Sequence, residues 1–332
     1  MFTFEVVPGE AVRRQLDQHR DEVVDVVERT YRDHEAGETI NPDSYFLRFP
    51  EKPDSRIIAL PALLRGDVQL AGIKWIASFP KNVAAGRPRA SAVLILNDYE
   101  TGYPIACLEA ANISAARTAA SAAVAARALR PTGLVGGRIA VVGGGVIARN
   151  ICEYLHVVGC RPDTYLVHDI HEPSGKSLVE HLEAQGRTAQ FTSALDEALE
   201  ADVVVLATTA LEPYVTRQFR PGQLVLNVSL RDLAPETVLG AHNILDDVDH
   251  CLKANTSPHL AEQLSGNRDF VTGTLAGVLN GDVIVDDSKP VIFSPFGLGV
   301  LDIAVGAHAL VRARAAGQTT DIPGFFGETS RW

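Results

Sequence analysis

The chain has 332 residues, 46% of them hydrophobic and 21% charged, which fits a soluble globular protein long enough to build two cores. A formal net charge of −11 argues against nucleic acid or an anionic membrane surface as the main partner. The four cysteines, Cys107, Cys152, Cys160 and Cys251, lack CxxC spacing and suggest neither a zinc site nor a disulfide framework.

The N-terminus, MFTFEVVPGEAVRRQLD, lacks the basic start and long apolar core of a signal peptide. No stretch of about 20 residues is apolar and free of charge, so no membrane span is expected and the cytoplasm is the expected location. Residues 9–36 carry Val12, Leu16, Val23, Val24, Val27 and Tyr31 at helical spacing, with a break near His19. Residues 44–98 read as consecutive strands: SYFLRF, SRIIALPALL, QLAGIKWIAS and ASAVLILND. Residues 109–129 form an alanine-rich helical stretch that Pro131 helps to end.

One residue in the strand LAGIKWIAS is out of place. Lys74 sits among Leu70, Ile73, Trp75 and Ile76, and an isolated buried ammonium is costly. No carboxylate lies close in sequence, so its partner is either elsewhere in the fold or a ligand.

After Gly137 the pattern alternates strand and helix. RIAVV (138–142), TYLVHD (164–169), TAQFT (188–192), DVVVLATT (202–209), QLVLNVS (223–229), HNILDD (242–247) and VIFS (291–294) are the expected strands. Such alternation predicts a parallel, doubly wound sheet, so the fold class is α/β with an additional α+β unit. A final helix is expected from about Gly299 to Ala315.

The first of these strands runs into VVGGGVIARN. Gly143, Gly145 and Ala148 stand in G-x-G-x-x-A spacing between a strand and a helix. Gly143 permits the tight turn, Gly145 lets a pyrophosphate approach the backbone, and Ala148 lets the helix lie close on the sheet. The helix start at Val146 and Ile147 offers amides to phosphate. Asp169 ends the next strand, where a carboxylate accepts ribose hydroxyls and repels a 2′-phosphate. No arginine follows in IHEPSGK, which favours NAD over NADP. Thr208 and Thr209 complete the expected cofactor set.

The runs GIKWIAS, ASAVLILNDYETGYPIACLEAANISAARTAA, AVVGGGVIA and NVSLRDLAPE resemble the ornithine cyclodeaminase/μ-crystallin superfamily over nearly the whole chain. The resemblance is strongest to its NAD-dependent branch that acts on N-(2-amino-2-carboxyethyl)-L-glutamate. It implies that Lys74 contacts a substrate carboxylate and that Arg117 binds it alongside. It further implies that Thr118 reaches the cofactor phosphates, that Asp232 is catalytic, and that Arg48 or Arg56 supplies a further carboxylate contact. A homodimer sharing a sheet is implied too, with residues 1–116 and 305–332 as the substrate-binding and dimerisation domain and 117–304 as the Rossmann-type NAD-binding domain.

Two departures refine this expectation. Ile58 occupies the place where cyclodeaminases of the family carry a glutamate for the distal amine, so a cationic ornithine tail would lose its counter-ion. Leu230 and Arg231 replace two small glycines before Asp232, and Arg231 adds positive charge suited to a substrate with several carboxylates.

The expected reaction is NAD-dependent oxidation of the secondary amine, then hydrolysis to 2-oxoglutarate and 2,3-diaminopropionate, feeding siderophore or peptide-antibiotic synthesis. The alternatives are a cyclodeaminase or cyclic imine reductase, and a non-catalytic NAD(P)H-dependent binding protein. Plainer roles stand beside these: Lys74 bridging to a buried acid, Arg117 capping a helix, Asp232 serving a turn. The acidic run DDVDHC (246–251) reads as a solvated loop, without a metal spacing. His168 and His171 are expected at the adenosine rim or in water.

Overall fold

The computed structural model describes residues 3–66, 68–131 and 135–327. It divides into two compact units, Met1–Arg117 with Leu298–Trp332, and Thr118–Gly297. The second cut lies at 297/298 where the sequence reading placed 304/305. The reason is the last helix, which packs as a whole on strands of the first unit.

In the first unit, β1 (Glu5–Val7), α1 (Gly9–Gln18) and α2 (Arg20–Glu35) precede β2 (Thr39–Ile40), β3 (Tyr45–Phe49), β4 (Lys52–Leu64), β5 (Leu70–Ser78), β6 (Ala90–Asp98) and β7 (Pro104–Glu109). The helical break falls at His19, whose φ of −128° and ψ of 38° leave the helical region. The strands pair in the order β16-β1-β7-β6-β5-β4-β2, with β3 on β4 and β16 at Thr320–Asp321. The unit's last helix, α11 (Gly299–Ala315), lies across β4, β5 and β6. Close approach needs a missing side chain: a Cβ on Gly72 would stand 2.7 Å from Cδ1 of Ile303. Leu94, Leu96, Leu108, Ile303 and Val305 are fully buried there, each contributing about 1.5–3 kcal/mol of hydrophobic stabilisation.

The unit boundary falls within α3 (Ala111–Leu129). Glu109, expected in this helix, ends β7 instead. Its carboxylate accepts the amide of Ala111 at 2.7 Å and so satisfies an open N–H at the helix start.

The second unit alternates β8 (Arg138–Val142), α4 (Val146–Val157), β9 (Thr164–His168), α5 (Glu172–Glu183), β10 (Ala189–Phe191), α6 (Leu195–Leu199) and β11 (Val203–Leu206). It continues with β12 (Leu224–Asn227), α7 (Pro235–Leu239), β13 (His242–Leu245), α8 (Val248–Cys251), α9 (Ser257–Ser265), β14 (Val271–Thr274), α10 (Leu275–Asn280) and β15 (Val291–Ser294). All pairs are parallel, in the order β10-β9-β8-β11-β12-β15-β13-β14. This is a Rossmann-type doubly wound sheet. The chain reverses its direction of winding between β8 and β11, and such a switch point opens a crevice at the strand ends. Strands β1, β2, β7, β14 and β16 were not among the expected ones; β14, VTGT, is four residues long and carries a glycine.

Candidate functional site

The first unit answers the question of Lys74. Its side chain is buried, and Nζ lies 2.6 Å from Oδ2 of Asp302 and 3.2 Å from Oγ of Ser114. Of the partners left open by the sequence, one lies elsewhere in the fold: an internal acid on α11 holds Lys74. That acid is shared, because Nε of Arg117 lies 3.2 Å from Oδ1 of the same Asp302. Two cations thus share one buried anion. Burial pushes the Lys74 ammonium down to about 8; Asp302 opposes this and Arg117 adds to it. Among the described residues Lys74 has two hydrogen-bond partners for three N–H groups. Two clustered cations and a spare donor on Lys74 together suit an incoming carboxylate.

Asp302 and Ser114 did not figure in the sequence reading. Asp302 gave the same signal as Lys74, a lone charge in an otherwise apolar helix, GVLDIAVGAHAL. The other arginines take different places. Arg48 lies on β3, exposed, with its guanidinium 5.3 Å from the Phe46 ring, and pairs in register with Arg56 on β4. Arg231, in the second unit, donates to the Ala254 carbonyl at 2.7 Å.

The second unit holds Asp232, with no exposed surface. Thr208 Oγ1 lies 3.1 and 2.9 Å from its two oxygens, and the phenol of Tyr214 donates to Oδ2 at 2.9 Å. Burial pushes this carboxyl above its usual range, opposed by the hydroxyls of Ser229, Thr208 and Tyr214. Burial and the facing carboxylate push the Tyr214 phenol well up. The loop presenting Asp232 is strained: Leu230 has φ of 78°, a left-handed value that costs a residue with a side chain about 1–3 kcal/mol. Ser257 offsets this by donating its amide to the Leu230 carbonyl at 2.7 Å and accepting the Leu233 amide at 3.1 Å. Tyr214 escaped the sequence reading because it sits in a loop without periodicity.

The glycine turn lies at the switch point. Gly143 has φ of 99°, and a Cβ there would stand 2.5 Å from the Ala207 carbonyl oxygen. A Cβ on Gly145 would meet nothing within 4 Å, so this backbone faces open space. Gly145 is the N-cap of α4 and has no side-chain capping bond; Val146 is 69% exposed and Ala148 fully buried. The helix amides are therefore open to an anion, and the cradle fits a dinucleotide pyrophosphate. Asp169 accepts the amides of Gly144 at 2.6 Å and His171 at 2.7 Å, which fixes its carboxylate beside the turn. Thr209 is exposed, and Thr118 lies partly buried in α3.

Two minor expectations are corrected. Residues 246–251 are no solvated loop: Asp246 and Cys251 are each 1% exposed. Asp246 accepts the amides of Phe296 and Gly297 at 2.9 and 2.7 Å, while Asp247 caps α8, so protein groups use the acids. His168 is buried against the Thr192 carbonyl rather than facing water.

A parallel sheet with a glycine turn at its switch point, in a chain whose other unit has a mainly antiparallel sheet and a buried cationic cluster, defines a two-unit protein of the Rossmann class. The chain belongs to the Ornithine cyclodeaminase/mu-crystallin family, which it matches over residues 10–318. It is 32% identical over 292 residues to the nodulation efficiency protein NfeD of Rhizobium meliloti, covering 86% of this chain and 88% of that protein. It is 28% identical over 301 residues to the N-((2S)-2-amino-2-carboxyethyl)-L-glutamate dehydrogenase of Staphylococcus aureus, with the same coverage of 86% and 88%. A solved archaeal alanine dehydrogenase, a dimer with bound NAD, superposes with a TM-score of 0.85 at 25% identity, over 98% of this chain and 100% of that one. No helix among the described residues is long and apolar enough to cross a membrane.

Proposed function

We propose that the protein is an NAD-dependent oxidoreductase that converts N-(2-amino-2-carboxyethyl)-L-glutamate, NAD⁺ and water to 2-oxoglutarate, L-2,3-diaminopropionate and NADH, releasing one proton. The observation that carries this reading is the shared Asp302, which brings the two cations Lys74 and Arg117 together at one buried acid. The likeness to the Staphylococcus aureus dehydrogenase supports the choice of substrate. The departure at Ile58 disfavours ornithine.

In this reading Lys74 and Arg117 grip the glutamate α-carboxylate, and the planar guanidinium of Arg117 fixes its orientation. Most of the catalytic gain is positional. Bound at the glycine turn, NAD⁺ would supply the hydride acceptor for oxidation of the glutamate Cα–N bond to an imine. The Asp232 carboxylate takes a proton from the water that attacks this imine carbon, and the C–N bond then breaks. The open backbone at Gly143, Gly145, Val146, Ile147 and Ala148 binds the pyrophosphate, with Thr118, Thr208 and Thr209 near the phosphates. Asp169 takes the ribose hydroxyls and disfavours NADP.

The same reading includes a homodimer in the cytoplasm, supplying a precursor for a siderophore or peptide antibiotic. A row of apolar side chains on the sheet face opposite Lys74 supports the dimer. Tyr45, Ala59, Trp75 and Val93 stand side by side in register, with Tyr45 71% and Trp75 and Val93 each 40% exposed. Light scattering is expected to give a mass twice that of the chain, and Trp75→Glu to return it to one.

The deciding assay offers the protein NAD⁺ with the glutamate adduct, with alanine and with ornithine, and follows reduced cofactor and products. Reduced cofactor and 2-oxoglutarate are expected from the adduct. Reduced cofactor from alanine alone would support the second reading, a simple amino-acid dehydrogenase, which the likeness to the archaeal enzyme favours. Proline and ammonia from ornithine would make it a cyclodeaminase. NADH binding without turnover of any of them would make it a binding protein.

A further inference from the structure

The proposed reaction frees one proton per turnover, and that proton starts on the substrate nitrogen. An alkylammonium keeps its proton at neutral pH. Hydride leaves the adjoining carbon only when the nitrogen has a free electron pair. Asp232, as the base, therefore takes an N–H proton first, and must lose it before taking another from the attacking water. Yet Asp232 has no exposed surface of its own.

The hydroxyls of Ser229, Thr208 and Tyr214 face its carboxylate, and the first two lead nowhere. Ser229 Oγ donates to the Leu206 carbonyl at 3.0 Å. Thr208 Oγ1 accepts the Ala210 amide at 3.2 Å, and among the described residues it otherwise meets the carboxylate and the Tyr214 phenol. A backbone carbonyl only accepts and a backbone amide only donates, so neither passes a proton on. Tyr214 differs. Its phenol donates to Oδ2 at 2.9 Å, and the residue is 36% exposed. A phenolic oxygen both donates and accepts, so it can take a proton on one side and release its own on the other. Burial, Asp232 and Asp169 all keep the phenol protonated, which suits transfer without ionisation of the tyrosine.

We propose that Tyr214 is the relay that discharges Asp232 to solvent once in each turnover. The relay rests on the proposed role of Asp232 as base. Asp232 takes the N–H proton, and two electrons leave Cα as hydride to NAD⁺, giving the protonated imine. The Asp232 hydroxyl then passes its proton to the phenol oxygen as the phenol O–H gives its own to solvent. The carboxylate, free again, carries both protons of the attacking water in turn to the nitrogen. The C–N bond breaks and the nitrogen leaves as an ammonium. One proton has gone to solvent, and the same count holds for oxidation of alanine to pyruvate and ammonium.

The test is rapid mixing with NAD⁺ and whichever of the adduct and alanine is oxidised, in the natural chain, Tyr214→Phe and Thr208→Val, each on the plateau of its pH profile. In Tyr214→Phe the first NADH per site is expected at close to the natural rate, and later turnovers about 100-fold slower. Formate and imidazole, at constant ionic strength, should speed those later turnovers by carrying the proton, and should not speed the natural chain or Thr208→Val. NADH affinity, read by its fluorescence, reports that each variant is folded. Equal slowing of first and later turnovers, slowing that neither buffer relieves, or buffer rescue of Thr208→Val overturns the relay. If alanine and not the adduct is oxidised, and burst and rescue appear, the proposed substrate fails and the relay stands. No reduction of NAD⁺ by either overturns both.

Discussion

The phenol of Tyr214 lies 2.9 Å from Oδ2 of Asp232, and the two residues are tied by backbone as well: the amides of Tyr214 and Val215 donate to the Asp232 carbonyl at 3.1 and 2.9 Å. The tether fixes a hydroxyl donor on a buried carboxylate that no cation neutralises among the described residues. The groups facing that carboxylate are the hydroxyls of Tyr214, Thr208 and Ser229; Asp169 bears on Tyr214, and Arg231 turns to the Ala254 carbonyl. Removing the phenolic donor lets burial push Asp232 up further. A hydrogen bond to a charged group is worth about 1.5–3 kcal/mol, or about one to two pH units. In Tyr214→Phe the acid limb of kcat/KM is therefore expected to move up by about that much, because a base with a raised pKa is deprotonated only at higher pH. A merely structural loss would lower the whole profile without moving its limb.

The shared aspartate predicts an unequal pair of mutants. Asp302→Asn leaves Lys74 and Arg117 together without their anion, and breaking a buried pair in this way costs about 3–5 kcal/mol. Lys74→Met leaves the Arg117–Asp302 pair balanced and is expected to cost about 1–3 kcal/mol. Denaturant midpoints at neutral pH give the order. Equal losses would mean that the cluster does not act as a charge triad.

Lys74 also predicts a pH dependence. Its ammonium is held down to about 8, so it loses its proton as pH rises through about 8 and its grip on a carboxylate fades. The alkaline limb of kcat/KM is expected near that pH in the free enzyme. Arg117 remains as a second contact to the carboxylate, so binding is expected to weaken without disappearing. The linkage to stability has the opposite sign. A lysine whose folded pKa is depressed stabilises the fold above its unfolded value of about 10.4, and this contribution is lost as pH falls through about 8. Activity and this component of stability therefore diverge across the same interval, which parallel rate and unfolding measurements resolve.

The glycine turn separates cofactor binding from folding. Gly145 has φ of −80° and ψ of −177°, an extended conformation open to any residue, and an added Cβ meets no protein atom within 4 Å. Gly145→Ala is expected to keep the melting temperature and to weaken NADH by about 10-fold or more, because the methyl enters space needed by the pyrophosphate. Gly143→Ala should instead destabilise the fold, since φ of 99° and the Ala207 carbonyl at 2.5 Å both oppose a side chain. Unchanged NADH affinity in Gly145→Ala would remove the turn from the cofactor site.

The sequence by itself determined what local periodicity encodes. Strands RIAVV and VIFS and the helix Gly299–Ala315 lie where their apolar runs predicted, and the glycine turn follows from spacing between a strand and a helix. It could also mark Lys74 as anomalous, because a lone charge in an apolar strand demands compensation. It could not say which group compensates. Asp302 is 228 residues further along the chain, and only the packing of α11 on β5 brings it to Nζ. Likewise Tyr214 reaches Asp232 through a loop bridge, and Ser78, Arg56 and Arg48 stand side by side through strand register. Charges and hydroxyls act over a few ångströms whatever their separation in sequence. Periodicity reports which face a residue takes, and tertiary packing alone decides what that face meets.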